Sequence, residues 1–592
     1  MQRGRTSVRK KFRSDGLRIF ILLCLIIILF CAVYYYAEIA KLKPEPPVSP
    51  VGLNTWEEKD SAANGLALKE NKDIYKNGID ADIYDVYISV YPTKDENGEV
   101  LTLADFALHS ARNHDYNPTL KCNVQILPEG GRPERIISSD TANASIRVRG
   151  NSARGHEYKS YKIKFLEEKN SFKGQSSLNI NKHTSDDVKI VTKLMTDLLR
   201  DIPDVVSFDT NFMRLWIRDA SLPVGEQEFI YQGLYTNTEQ PNKTFLRRRG
   251  LPSECNMYKA RNFSFRPSEN LLDTDDPMYD EGLFEQILGI REGREHTELL
   301  EMLAAVNDPS RDFSEVFETY FNEDNYLSWL AFSILTGSED ILNHNYIIYS
   351  PVNCKTWYFI PWDFDKNLQT HDSYHMTPSL AGGQKLNMVP LHRGYFRSEN
   401  ALKKLDQKMQ ELMDEYLTER KIRSLTDAYI PVLEKTMREM PDVTLTKYAP
   451  DELVTAVNNL PQLIKINYEN FRRAFAYPAP MFVNEPAIKA DGSLSFSWEE
   501  SYSYQNLPIS YELYVYSDYS KQNLLFSADE IEENHLDTQL ILEPGTYYLD
   551  VHALDSDGHD QISLEHFEFS GASFVYVDGL REFTVPESGK AP

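Results

Sequence analysis

The chain has 592 residues, of which 41% are hydrophobic and 12% aromatic, and a formal net charge of −26. That length exceeds a single hydrophobic core and points to three or so units of roughly 100–200 residues each; the acidic balance argues against a nucleic-acid or anionic-membrane surface as partner and suits the binding of cations. Five cysteines, two of them (Cys24 and Cys31) inside an apolar run, leave Cys122, Cys255 and Cys354, too few for a disulfide framework and at spacings that match no zinc motif.

Residues 1–18 carry Arg3, Arg5, Arg9, Lys10, Lys11, Arg13 and Arg18 against Asp15, and the 19 uncharged residues from Ile19 to Ala37 follow. The run is long enough to cross a bilayer, and a basic flank is retained in the cytoplasm, so the expectation is a single-pass anchor with the large domain extracytoplasmic. A cleaved signal peptide is the competing reading. The run exceeds a usual signal core of about 7–15 residues, and three tyrosines stand where an interfacial belt would. Removing the net +6 of residues 1–18 leaves −32 on the exported side. "KPEPPVSP" (43–50) then reads as an extended spacer, with residues 38–80 as stalk.

Ordered structure is expected from "DIYDVYISVYP", whose alternation predicts a strand, with strands dominating to about residue 165 and a helix near 185–200. "FMRLWIRD" and "EFIYQGLY" predict further strands, and residues 281–337 and 398–475 read as mainly helical. A composition shift at "AYPAPMFV" (476–483) opens a last unit, residues 480–592. Its alternating strands predict a β-sandwich resembling a fibronectin type III or immunoglobulin-like module, with Trp498 and Tyr547 or Tyr548 in its core.

The chemistry concentrates in "EDILNHNYIIYSPVNCKTWYFIPWDFD" (339–365). Two buried strands joined by a turn bring Asp340, Asn343, His344 and Asn345 together with Asp363 and Asp365. The spacing D-x-x-x-x-N, a hairpin, then D-F is the one protein kinases use: one carboxylate serves a hydroxyl, while an amide and a second carboxylate hold Mg²⁺ against phosphate. Upstream, "SIRVRGNSARGHEYKSYKIKF" (145–165) places a glycine turn before a lysine-rich strand, and free backbone N–H groups and a strand lysine both suit phosphate. Alternation sets Lys162 and Lys164 on one face and Lys159 with Tyr161, Ile163 and Phe165 on the other; Lys159 stays open if the strand begins after it.

These segments together resemble the spore coat protein H (CotH) kinase family, atypical protein kinases that are secreted or surface-associated. The resemblance rests on Arg149, Gly150, Asn151 and Ser152 followed by "KSYKIKF", on "YQGLYTNTE" (231–239), and on "GSEDILNHNYIIY" leading to "PWDFD". It implies an α+β, kinase-like domain over residues 81–477, between the transmembrane helix and the β-sandwich. It also implies ATP with Mg²⁺ or Mn²⁺ as cofactors and a protein substrate at the cell surface or envelope. Asp340 is then the catalytic acid/base, Asp363 a metal ligand and Asn345 a further one. Lys162, Lys164 or Lys159 meets phosphate beside the Arg149–Ser152 turn, and Glu239 pairs with that lysine or binds nucleotide. One departure stands out: in "SDDVKIVTKLM" Asp186 fits the family, whereas Val191 and Thr192 occupy positions where the family carries arginine and asparagine. Two other functions compete, a kinase-like surface scaffold without catalysis and a hydrolase that holds a metal with Asp340, His344, Asp363 and Asp365.

Overall fold

The computed structural model describes residues 56–58, 66–75, 80–113, 116–134, 138–150, 152–167, 171–182, 184–368, 379–570 and 574–587. The expected anchor, the spacer and Asn151 lie outside the described residues. Among the described residues no helix is long and apolar enough to cross a membrane. The stalk expected to reach residue 80 is shorter: Leu68 is buried, the Asn71 N–H donates to the Arg249 carbonyl at 2.8 Å, and Glu70 meets the fully buried Arg249 at 2.8 Å. A buried arginine needs a carboxylate, and this segment supplies one.

Seven strands close into a barrel: β1 (Ile83–Val90), β2 (Leu120–Pro128), β3 (Ala144–Arg149), β4 (Ser160–Phe165), β5 (Ser177–Asn181), β6 (Thr210–Asp219) and β7 (Ile230–Glu239). Their order around the barrel is β6-β7-β5-β4-β3-β2-β1, and β1 closes it by pairing in parallel with β6. Val86, Ile88, Ile146, Val148, Ile163, Leu178 and Met213 point inward, so alternate residues of the same strands face out. Between β5 and β6 runs helix α1 (Val191–Leu199).

The second lobe is built on a four-stranded antiparallel sheet ordered β9-β8-β10-β11, from β8 (Cys255–Ala260), β9 (Leu288–Glu292), β10 (Tyr346–Pro351) and β11 (Tyr358–Pro361). Every residue of β10 and β11 is buried, because helices cover one face and the Phe208, Phe245 and Trp362 cluster covers the other. Helix α2 (Glu323–Leu335) lies against this sheet, buried all round from Asn325 to Leu335, with Trp329 stacked on Phe359 at 4.2 Å. Asn325 acts as a partner for β11: its amide donates to the Phe359 carbonyl at 3.0 Å and its oxygen accepts the Phe359 N–H at 2.7 Å. Strand β9 interrupts the region read as helical, since its five residues sit between helices Glu281–Ile287 and Thr297–Val306 and are masked by their period.

Helices α3 (Glu419–Thr436) and α4 (Pro450–Ala474) complete the lobe, and the turn between them clamps it to the barrel. Asp442 accepts from Lys182 Nζ at 2.7 Å and from the Leu234 N–H at 2.7 Å, while Lys182 also donates to the Gln232 carbonyl at 2.8 Å. Burial drives both groups toward neutrality, Lys182 down and Asp442 up, in spite of their mutual attraction. Gly233, with φ +92°, leaves the space they fill, because a Cβ there would overlap the ammonium and both carboxylate oxygens.

Among the described residues the last unit forms a three-stranded and a five-stranded antiparallel sheet around one core of Met481, Phe496, Trp498, Leu513, Val551 and Phe583, with Tyr547 packed against it, and a separate two-stranded ribbon of His566–Ser570 and Phe574–Asp578. It is joined to the second lobe by polar contacts: Arg393 meets Glu499 at 2.6 Å, and Tyr504 donates to Gln384 at 3.0 Å. The three described cysteines are all free thiols.

Replacing Asp442 by alanine leaves Lys182 buried without its carboxylate, and we expect a loss of about 3–5 kcal/mol in urea unfolding. Gly233→Ala should destabilise in the same direction, by strain and by displacing the pair.

Candidate functional site

The pairing of β10 with β11 decides the site. It runs from Tyr349 opposite Tyr358 to Tyr346 opposite Pro361, and beyond it the Trp362 N–H donates to the Asn345 carbonyl at 3.1 Å. Residues 340–345 and 362–365 therefore meet at the open end of the hairpin. Asn345 (φ 58°) and Asp363 (φ 63°) both sit in the left-handed region there, a conformation that asparagine and aspartate tolerate better than most residues. Phe364 is buried beside Phe332, which anchors the segment and leaves Asp363 and Asp365 on either side of it.

Asp340 belongs to the turn Glu339–Leu342 that follows α2. Its Oδ2 accepts from Asn345 Nδ2 at 3.4 Å and from Lys366 Nζ at 3.2 Å. Asp363 is half exposed and lies 3.7 Å from Lys259 Nζ. Burial, then the charges of Asp363 and Asp186, push the Asp365 carboxyl up to about 7. Asp186 accepts the N–H groups of Val188, Lys189 and Val191 where α1 begins, and burial lifts its carboxyl to about 6. Val191 is packed in the core, and Thr192 is half-buried. His344 is exposed, and burial of its ring outweighs the pull of Asp340 to lower its pKa.

The barrel brings cations to the same place. Arg149 ends β3 just before Gly150 (φ +80°), and burial lowers its guanidinium against the pull of Asp363 and Asp365. Alternation in β4 turns Tyr161, Ile163 and Phe165 inward and leaves Lys162 half-buried and Lys164 exposed on the outer face, beside Arg147 of β3. Burial first, then Arg147, Arg291 and Arg149, push the Lys162 ammonium down to about 8. Cations thus dominate its charged surroundings, in a chain whose net charge is strongly negative.

Two candidates have other partners. Lys159 is buried, and its Nζ donates to the Arg154 carbonyl at 2.7 Å and to that of His156, so it holds the turn Ser152–Gly155 in place. Glu239 does not pair with the β4 lysines. It lies opposite Leu178, in the row that continues to inward-facing Ile163, whereas Lys162 lies in the other row, opposite Asn179. Arg249 at 2.6 Å and Arg248 take its carboxylate instead. Sequence reasoning missed Arg147, Lys259, Arg261, Arg291 and Lys366. Only Lys259 left a signal, as a basic residue in step with Met257 and Cys255 on an apolar strand face.

Among the described residues no group of three or more His, Cys, Asp or Glu side chains is arranged to hold a metal, so the four-ligand hydrolase site does not assemble. A nucleotide-bound divalent ion needs less, because Mg²⁺ keeps one or two carboxylates and takes its remaining ligands from phosphate and water. The hard oxygen donors of Asp363 and Asn345 fit that requirement. So does the crowding of Asp363, Asp365 and Asp186, which a cation would relieve.

A barrel lobe, and a helical lobe that brings acids and further cations up to the barrel's Arg149 and Lys162, make a kinase-like, two-lobed protein. Residues 146–471 match the family described as CotH kinase protein, and the chain belongs to that family. No curated protein matches it.

Because Lys162 titrates near 8, anion binding in the cleft should weaken as pH rises from 7 to 9.5. We expect the affinity for inorganic tripolyphosphate, measured by calorimetry, to fall over that window in the parent and to vary less in Lys162→Arg. Stability has the opposite sign: the depressed pKa of Lys162 is a penalty that is present below about 8 and relieved as pH rises toward the unfolded value.

Proposed function

We propose that the chain is a membrane-anchored, extracytoplasmic CotH-type protein kinase that transfers the γ-phosphoryl group of ATP to a protein hydroxyl with Mg²⁺ or Mn²⁺. The observation that carries this reading is convergence: Asp340, Asn345 and Asp363 gather at one hairpin end, Arg149 comes up to Asp363 from the barrel, and Lys162 lies beside Arg149. The reading gives Asp363 and Asn345 the metal, Lys162 and Arg149 the phosphates, and Lys164 the exposed approach on the same strand. The reading keeps Asn151 and Ser152 as candidate nucleotide-binding residues, and Lys159 and Glu239 serve by fixing the surrounding structure. The divalent ion supplies charge neutralisation of the phosphate oxygens. Asp340 Oδ2 orients the acceptor hydroxyl and takes its proton, and Lys366, 3.2 Å away, fixes the position of that carboxylate.

One observation favours a second reading, a kinase-like surface scaffold without turnover: Val191 is in the core at a position where the family has a polar side chain.

The two acids should fail differently. Asp363→Asn removes charge from a hard-cation site, so metal-supported ATP binding and transfer should fall together. Asp340→Asn should keep ATP binding while slowing transfer by about 10²–10⁴-fold. Calorimetry and labelled-phosphate transfer on both variants test this. Parental ATP binding by a folded Asp363→Asn variant contradicts the kinase reading, and metal-dependent ATP binding with no transfer by the parent supports the scaffold.

A further inference from the structure

The second lobe carries cations of its own at the cleft, and the family motifs do not include them. Lys259 lies on β8, in step with Met257 on the sheet face that packs against Trp362; its Nζ is 5.6 Å from the Trp362 ring and 3.7 Å from Asp363. On the neighbouring strand, pairing passes from Tyr258 opposite Ile290 to Met257 opposite Glu292, which leaves Arg291 as the extra residue of a bulge. Bulges re-aim a side chain and are over-represented beside active sites. Arg291 Nε is buried without a hydrogen-bond partner, and its only hydrogen bond among those described runs from Nη1 to its neighbour's carbonyl, at 3.3 Å. Gly289, opposite Lys259, has no side chain to obstruct Arg261, whose guanidinium occupies the space a Cβ would need and is tied to Glu285 at 3.5 Å.

Burial weighs most on Arg291, and of the charges around it Arg261 is the strongest, then Glu285, then Arg149 and Arg147. Burying like charges together costs free energy unless an anion joins them. Lys259 has one acid, Asp363, the same carboxylate the proposed metal would take.

We propose that Lys259 and Arg291 form the second lobe's half of a phosphate grip, binding the polyphosphate chain of a nucleoside triphosphate across the cleft from Lys162 and Arg149. Lys259 is the counter-charge of Asp363 in the unliganded protein and turns to phosphate when the carboxylate is taken by a divalent ion. Arg261, held by Glu285, positions Arg291. This inference rests on the nucleotide reading above and adds residues from a second element to it.

The test is calorimetric binding by the full chain of Mn²⁺ alone, Mn²⁺-ATP and inorganic tripolyphosphate, with Lys259→Gln, Arg291→Gln and Arg291→Lys, and melting temperatures recorded without ligand. Each charge-removing variant should bind ATP and tripolyphosphate about 10-fold or more weakly, the scale of one lost charge-assisted hydrogen bond. Arg291→Lys should recover part of that loss. Lys259→Gln should bind Mn²⁺ alone at least as well as the parent, because it frees Asp363; a purely structural lysine would not give that opposite sign. Parental polyphosphate affinity in both folded Gln variants overturns the inference and leaves the nucleotide reading intact. If the parent binds tripolyphosphate through these residues but not ATP, the nucleotide reading fails, and with it the inference that the grip serves a nucleoside triphosphate. If the parent binds neither, both are overturned. If Lys259→Gln melts well below the parent, the Arg291 pair carries the decision, and parental affinity in Arg291→Gln is enough to refute the grip.

Discussion

The hydrogen bond from the Trp362 N–H to the Asn345 carbonyl, one step beyond the last pair of β10 and β11, is the constraint on which the site depends. It holds two short segments of opposite chain direction together at the end of a hairpin whose strand residues are all buried. Such a hairpin has little freedom. One face is packed against α2 and its neighbours, and Asn325 occupies the free edge of β11 with two hydrogen bonds to Phe359. A slip of one residue in β11 would exchange its two faces and carry Asp363 out of reach of Asn345.

Charge is the second organising fact. The whole chain carries −26, yet Arg147, Arg149, Lys162, Lys259, Arg261 and Arg291 crowd one cleft. Burial lowers Lys162, Lys259 and Arg291 and raises Asp365, so charge on either kind of group carries a desolvation cost here. A polyanion carrying a divalent cation would relieve both sides at once. Elsewhere the charges are already matched, as in the buried set of Glu70, Arg249 and Glu239 or in the clamp of Lys182 and Asp442.

Much of this was legible in the sequence. The alternation of Tyr161, Lys162, Ile163, Lys164 and Phe165 assigned faces correctly, and the continuous apolar runs of 346–349 and 357–360 marked strands covered on both sides. The pairing of residues 340–345 with 362–365 followed from the hairpin alone. Tertiary partners were not legible. Glu239 reads as a partner for the β4 lysine or for nucleotide, and only the fold brings Arg248 and Arg249 onto it. Lys159 looks like its neighbouring lysines until the turn at 152–155 surrounds it with carbonyls. A bulge such as that at Arg291 is a property of two strands, and no periodicity within one strand reveals it. Closure of the barrel by the parallel pairing of β1 with β6 joins segments more than a hundred residues apart, beyond the reach of any local pattern.

The most direct measurement is an anomalous-scattering map of crystals grown with Mn²⁺ and a non-hydrolysable ATP analogue. The account predicts a Mn²⁺ peak at coordination distance from Asp363 and Asn345, with the phosphate chain lying between that ion and the Lys162 ammonium. Nucleotide bound elsewhere, or Mn²⁺ bound without any contribution from Asp363, would contradict it.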